Sequence, residues 1–124
     1  MALYVRAHKA TRTVHRAMSD DTSILTRIPG EHLTRSAEVI KCLGHPLRLR
    51  LLEALESEEM TVSALQEYAD APQSVVSQQL SILRGKGVVD SRRDGVNVYY
   101  RVTEPKVYHI LACIRECCGE EPDA

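Results

Sequence analysis

No stretch of this 124-residue sequence approaches the roughly 20 consecutive apolar residues that crossing a bilayer requires. No compact apolar segment near the N-terminus resembles a secretory signal core. The expectation is a cytoplasmic chain without a membrane partner. Trp and Phe are absent, and net charge is nearly absent too, with 16 Lys and Arg against 17 Asp and Glu. Also missing are a phosphate-binding glycine loop, a Ser/His/Asp order and a paired-carboxylate pocket, so an enzyme is not expected. What is present, 44% apolar and 27% charged residues, is ordinary globular composition. It excludes wholesale disorder, collagen-like sequence and a disulfide-dense scaffold. The length suits one domain. Four Cys without an export signal point to free thiols, metal ligands or redox sensors rather than structural disulfides.

The small net charge is an average over segregated blocks. Residues 1–16 carry Arg6, Lys9, Arg12 and Arg16 with no acid; residues 53–70 carry Glu53, Glu56, Glu58, Glu59, Glu67 and Asp70 with no base. Between Arg84 and Arg101, five cations face only Asp90 and Asp94. Because phosphate attraction is a local, screened sum, a neutral chain can still offer nucleic acid one basic face.

Along the chain, residues 1–35 read as a partly flexible extension whose small apolar residues make at most a frayed helix, interrupted by Ser19-Asp20-Asp21 and Pro29-Gly30. Met18 is an alternative start. Residues 36–118 form the folded domain, and 119–124 an acidic tail. Helices are expected over residues 36–43, ended by Gly44 and Pro46, and over residues 47–55, with Arg48 and Arg50 outside the leucine stripe. Thr61 is the N-cap of a helix over 62–68, and a longer helix over 73–86 buries Val76, Leu80 and Leu83. Val88–Arg92, a turn at Asp94-Gly95 and Val96–Val102 read as a β-hairpin, and Pro105 opens a last helix to Cys118.

Two short helices joined by a tight turn, then a hairpin with Arg92-Arg93 near its tip, describe a mainly α, α+β winged helix-turn-helix. Gln73, Ser74, Ser77, Gln78 and Gln79 suit base edges and a phosphate at the helix start, with Gln favouring adenine. Arg84, Arg92 and Arg93 suit phosphate or the minor groove. The expected partner is double-stranded DNA.

The stretches Lys41-Cys42-Leu43-Gly44-His45-Pro46-Leu47-Arg48-Leu49 and Ser77-Gln78-Gln79-Leu80-Ser81-Ile82-Leu83-Arg84-Gly85-Lys86-Gly87-Val88-Val89 resemble the ArsR/SmtB family of bacterial repressors. So do Arg92-Arg93-Asp94-Gly95 and Tyr99-Tyr100-Arg101-Val102. The resemblance covers about residues 36–118. It implies a homodimer held by the first and last core helices, which represses its own operon and leaves DNA when an effector binds.

All four thiols fall on those two helices: Cys42 on the first, and Cys113, Cys117 and Cys118 on the last. Cys113 and Cys117 share a face that His109 extends, whereas Cys118 is rotated by about 100°. Three thiolates suit a soft ion, trivalent arsenic or antimony, with Cys42 and His109 as additional donors. His109 with two Cys could instead bind zinc. A thiol-redox or persulfide signal, a zinc or cadmium sensor, and a constitutive DNA-binding module whose Cys only pack are the alternatives. Cys42 alone reads as a small buried hydrophobe. Departures from family patterns weigh on the choice. Thr61 and Ser63 stand where ELCVC-type members carry cysteines, and the zinc pattern of the last helix maps onto Glu104, Lys106, Cys117 and Glu120. Persulfide-sensing members place a Cys about where Glu53 stands, and a Cys-Cys pair ending the last helix is similar to that of some arsenite-responsive members.

Overall fold

The computed structural model describes residues 26–119. The chain divides into two units, Met1–Leu33 and Thr34–Ala124. The expected helix of the extension and the acidic tail lie outside the described residues. The elements are α1 (Gly30–Leu43), α2 (Pro46–Leu55), β1 (Met60–Thr61), α3 (Val62–Ala69), α4 (Gln73–Gly85), β2 (Val89–Asp94), β3 (Asn97–Val102) and α5 (Lys106–Gly119). Strands β2 and β3 form the expected hairpin wing. Among the described residues, no helix is long and apolar enough to cross a membrane.

Two differences from the sequence reading have clear causes. Helix α1 begins at Gly30 rather than Ser36, because Pro29 does not interrupt it. The Pro29 carbonyl accepts from His32 N and Leu33 N at 3.0 and 3.1 Å and so supplies the first helical acceptor. The short strand β1 was not expected. Met60 and Thr61 pair antiparallel with Tyr100 and Tyr99, which makes the sheet order β1-β3-β2. Two residues are too few for any periodicity to show.

Helix boundaries follow local chemistry. Gly44 and Pro46 separate α1 from α2, and His45 caps α2 by accepting from Leu47 N at its Nδ1, 3.2 Å away. Thr61 caps α3 by accepting from Ala64 N at 3.2 Å. Asp70 ends α3 at φ 55°, a left-handed turn that Asp tolerates better than most residues. In the wing, Asp94 pairs with Asn97, so Gly95-Val96 is a two-residue turn, and Gly95 supplies the positive φ of 69°.

The core gathers Val39 from α1, Leu51 and Leu52 from α2, Leu65 from α3, Val76, Leu80 and Leu83 from α4, Val88, and Val107 from α5, all fully buried. Fully burying such a side chain contributes roughly 1.5–3 kcal/mol, so this cluster fixes how α3 and α4 meet. Its polar exception is Glu104, 7% exposed. Burial would raise its pKa, but the Lys106 backbone N–H, the Lys106 ammonium and Arg35 outweigh that and hold the carboxyl below its ordinary value. Arg35 of α1 reaches both Glu104 Oε1 at 3.3 Å and the Lys86 carbonyl at 3.1 Å, joining α1 to the turn before the wing and to the start of α5.

Candidate nucleic-acid interface

Helix α4 is amphipathic because its apolar residues recur at helical spacing. With Val76, Leu80 and Leu83 turned into the core, Gln73, Ser74, Gln78, Ser81 and Arg84 are left exposed and Ser77 half-buried. Ser74, Gln78 and Ser81 are spaced by four and three residues and share one face, a polar stripe on the second helix of a helix-turn-helix, an element that the major groove admits. Arg84 adjoins it, with Nε 3.8 Å from Asp90 Oδ1.

Gln79 is placed differently from its neighbours. It is half-buried, and its Oε1 accepts from Arg48 Nε at 2.7 Å, while Arg48 Nη1 donates to the Cys42 carbonyl at 2.8 Å. Sequence reasoning put Arg48 outside the leucine stripe of α2. The structure turns it inward, and the signal was available. Arg48 stands three, four and seven residues before Leu51, Leu52 and Leu55, on the same face.

The wing arginines divide in the same way. Successive strand residues point to opposite faces, so Arg92 lies over its cross-strand partner Tyr99, 4.9 Å from the ring centroid, and Arg93 points away. On its face Arg92 meets Glu59 at 2.7 Å and Asp94 at 3.8 Å, and the Glu59 hydrogen bond, against slight desolvation, raises its pKa. Glu59, just before β1, was not singled out in the sequence, because its proximity depends on the β1–β3 pairing. Arg93 is exposed and has no ion pair among the described residues.

Cys42 is buried in the core, whereas Cys113, Cys117 and Cys118 are exposed on α5 along with His109. Among the described residues, no three His, Cys, Asp or Glu side chains are grouped so as to hold a metal ion. Between Cys113 and Cys117, Arg115 pairs in a bidentate fashion with Glu56 at 2.6 and 3.1 Å, which raises the Arg115 pKa and ties α5 to the end of α2. Exposed Tyr108 and Ile114 on α5 and Ile40 on α1 add an uncovered apolar surface.

Residues 45–91, from the α2 cap through α4 into the wing, match the model of bacterial regulatory proteins of the arsR family. The nodulation protein NolR of Rhizobium meliloti is 36% identical over 89 residues, which span 72% of this chain and 73% of that protein. A biofilm growth-associated repressor of Xylella fastidiosa (strain 9a5c) is 32% identical over 117 residues, 86% of this chain and 96% of that one. Among solved structures, the homodimeric winged helix-turn-helix DNA-binding domain of Mb0332 from Mycobacterium bovis superposes with a TM-score of 0.64 at 28% identity, covering 73% of this chain and 84% of that one. The polar face of α4, the wing beside it and these likenesses converge: the chain belongs to the arsR family of bacterial regulatory proteins and is a DNA-binding transcriptional regulator rather than an enzyme.

Proposed function

We propose that two copies of this chain form a repressor that binds operator duplex and releases it when trivalent arsenic or antimony is held by Cys113, Cys117 and Cys118. The observation that carries the DNA-binding half is the exposed stripe Ser74, Gln78 and Ser81 on α4, with Arg84 exposed on the same helix and Arg93 exposed on the wing. In this reading the stripe and Ser77 face the major groove, the amides at Gln73 receive a phosphate, and Arg84 and Arg93 add charge to the backbone contact. Arg92, engaged by Glu59 and Tyr99, braces the wing. Pairing through α1 and α5 would cover Ile40, Tyr108 and Ile114, all exposed in the single chain, in keeping with the homodimeric Mb0332 domain.

The effector half is supported by the exposure of all three α5 thiols, each reachable by a thiophile, and by their place on the helix assigned to pairing. The donors are not grouped within one copy. The ligand set therefore assembles on binding, by loosening the last turn beside Gly119 or by drawing on the second copy, and that movement is what would spoil the spacing of the two α4 helices. The residues fit a copy of the family's zinc pattern poorly. Glu104 is buried and already accepts from Arg35 and Lys106, and the Lys106 ammonium lies 3.5 Å from it.

A coupling of about 1–3 kcal/mol between effector and DNA is enough to weaken binding roughly 5–150-fold. A mobility-shift titration of the chain on its own upstream DNA tests this. Arsenite should release the duplex, and the Cys117→Ser, Cys118→Ser double variant should bind as tightly yet fail to let go. Release by zinc, cadmium or oxidant but not by arsenite would move the assignment to those signals, and indifference to all four would leave a constitutive DNA-binding module.

A further inference from the structure

Reading an adenine edge with glutamine needs the whole carboxamide: the oxygen accepts from N6 while the amide nitrogen donates to N7. Gln78 meets that requirement, being exposed on α4 with no side-chain hydrogen bond among the described residues. Gln79 does not. Its oxygen already accepts a 2.7 Å hydrogen bond from the Arg48 guanidinium, and its side chain is turned about 100° from that of Gln78, toward α2. Charge-assisted hydrogen bonds of this kind are stronger than neutral ones, so a base edge in water competes poorly for the same oxygen. The same guanidinium holds the Cys42 carbonyl at 2.8 Å, at the end of α1. One planar fork therefore fixes α4 relative to α1, and the second acceptor belongs to the helix that the proposed dimer uses.

We propose that Gln79 is a positioning residue and not a reader of bases: with Arg48 it clamps α4 to the carbonyl end of α1, and base discrimination on this part of the helix belongs to Gln78. The inference rests on the DNA-binding reading above and adds to it which side chains confer specificity. It also makes the clamp the route by which a shift of α1 tilts α4.

Preferred sequences are selected from a pool of random duplexes with the full chain, and affinities are then measured on the selected and on scrambled duplexes. Gln79→Glu keeps an acceptor for Arg48, so it should retain the wild-type base preference at every position and bind within about threefold of wild type. Were Gln79 a reader, the same variant would turn an adenine preference into a cytosine preference, since a carboxylate accepts from cytosine N4. Gln79→Ala should weaken binding to all duplexes alike, by about three- to tenfold, and Gln78→Ala should flatten the preference at one position. Arg48→Ala with Gln79→Ala should bind no worse than Arg48→Ala alone, since Arg48→Ala already removes the contact that Gln79→Ala removes. Circular dichroism and thermal unfolding confirm that each variant is folded. The inference is overturned if Gln79→Glu changes the preference at any position, or if Gln78→Ala changes none. Wild-type chain that selects no duplex would instead overturn the DNA-binding reading itself.

Discussion

The two wing arginines should differ in how they respond to salt. Each phosphate contact releases counterions, so the logarithm of the binding constant falls with the logarithm of salt by about 0.9 per contact. Arg93 is exposed and without an ion pair among the described residues, so in the proposed complex it would bring a full charge to the backbone. In a dimer with two wings, Arg93→Ala should flatten the slope by about 1.8, so that quadrupling the salt separates wild type from variant by about 12-fold. Arg92 sits between Glu59 at 2.7 Å and Asp94 at 3.8 Å, one positive charge against two negative ones. Its replacement by Ala should leave the slope unchanged while lowering affinity at every salt concentration, because the wing loses its brace. Glu59→Gln releases the guanidinium and removes an opposing charge, and it should steepen the slope. Fluorescence anisotropy on one operator duplex between 50 and 200 mM salt reads all three, a window in which such contacts change affinity steeply. Equal flattening by Arg92→Ala and Arg93→Ala, with no effect of Glu59→Gln, would refute the assignment of Arg92 to the protein and Arg93 to the phosphate.

Other consequences concern stability. Leu80 is fully buried where α4 meets the rest of the core, and Leu80→Ala should cost about 2–5 kcal/mol in urea unfolding. Removing the α3 cap with Thr61→Ala should cost about 1 kcal/mol in the same assay, since the Ala64 N–H loses its partner. Glu104 has a lowered pKa in the folded chain, so its contribution is complete above the unfolded carboxyl value near 4.3 and is lost as pH falls through the lower folded value. Glu104→Gln should therefore be less stable than wild type at neutral pH, with the difference shrinking in acid. A difference that stayed constant to the lowest measurable pH would show that the carboxylate charge is not what Arg35 and Lys106 stabilise.

The order of helices and wing was legible in the residues because it rests on local rules. Apolar spacing in α4, the Thr61 cap, Gly44 with Pro46, and Asp94-Gly95 each act within a few residues of chain. The polar face of α4 followed from that spacing alone. Two features were not legible, and a third, the inward turn of Arg48, was legible in its spacing but missed. Strand β1 exists because β3 offers Met60 and Thr61 an open edge at Tyr100 and Tyr99, and Glu59 reaches Arg92 only through that pairing. Arg48 was misread because a cation at a core-facing position is tolerated only when acceptors from two other helices, the Cys42 carbonyl and Gln79, happen to converge on it.

By itself, then, the sequence determined the order of the helices and the wing, which helix presents Ser and Gln outward, and that every thiol lies on α1 or α5, since these are properties of spacing along one chain. Only the tertiary structure decided which polar side chains are free. Arg92 and Arg93 are neighbours of equal charge, and Gln78 and Gln79 are adjacent amides, yet strand alternation and the 100° step of the helix aim one of each pair at the protein and the other at solvent. A hydrogen-bonding group already held by the protein is worth less to a ligand, and that difference arises between elements far apart in sequence.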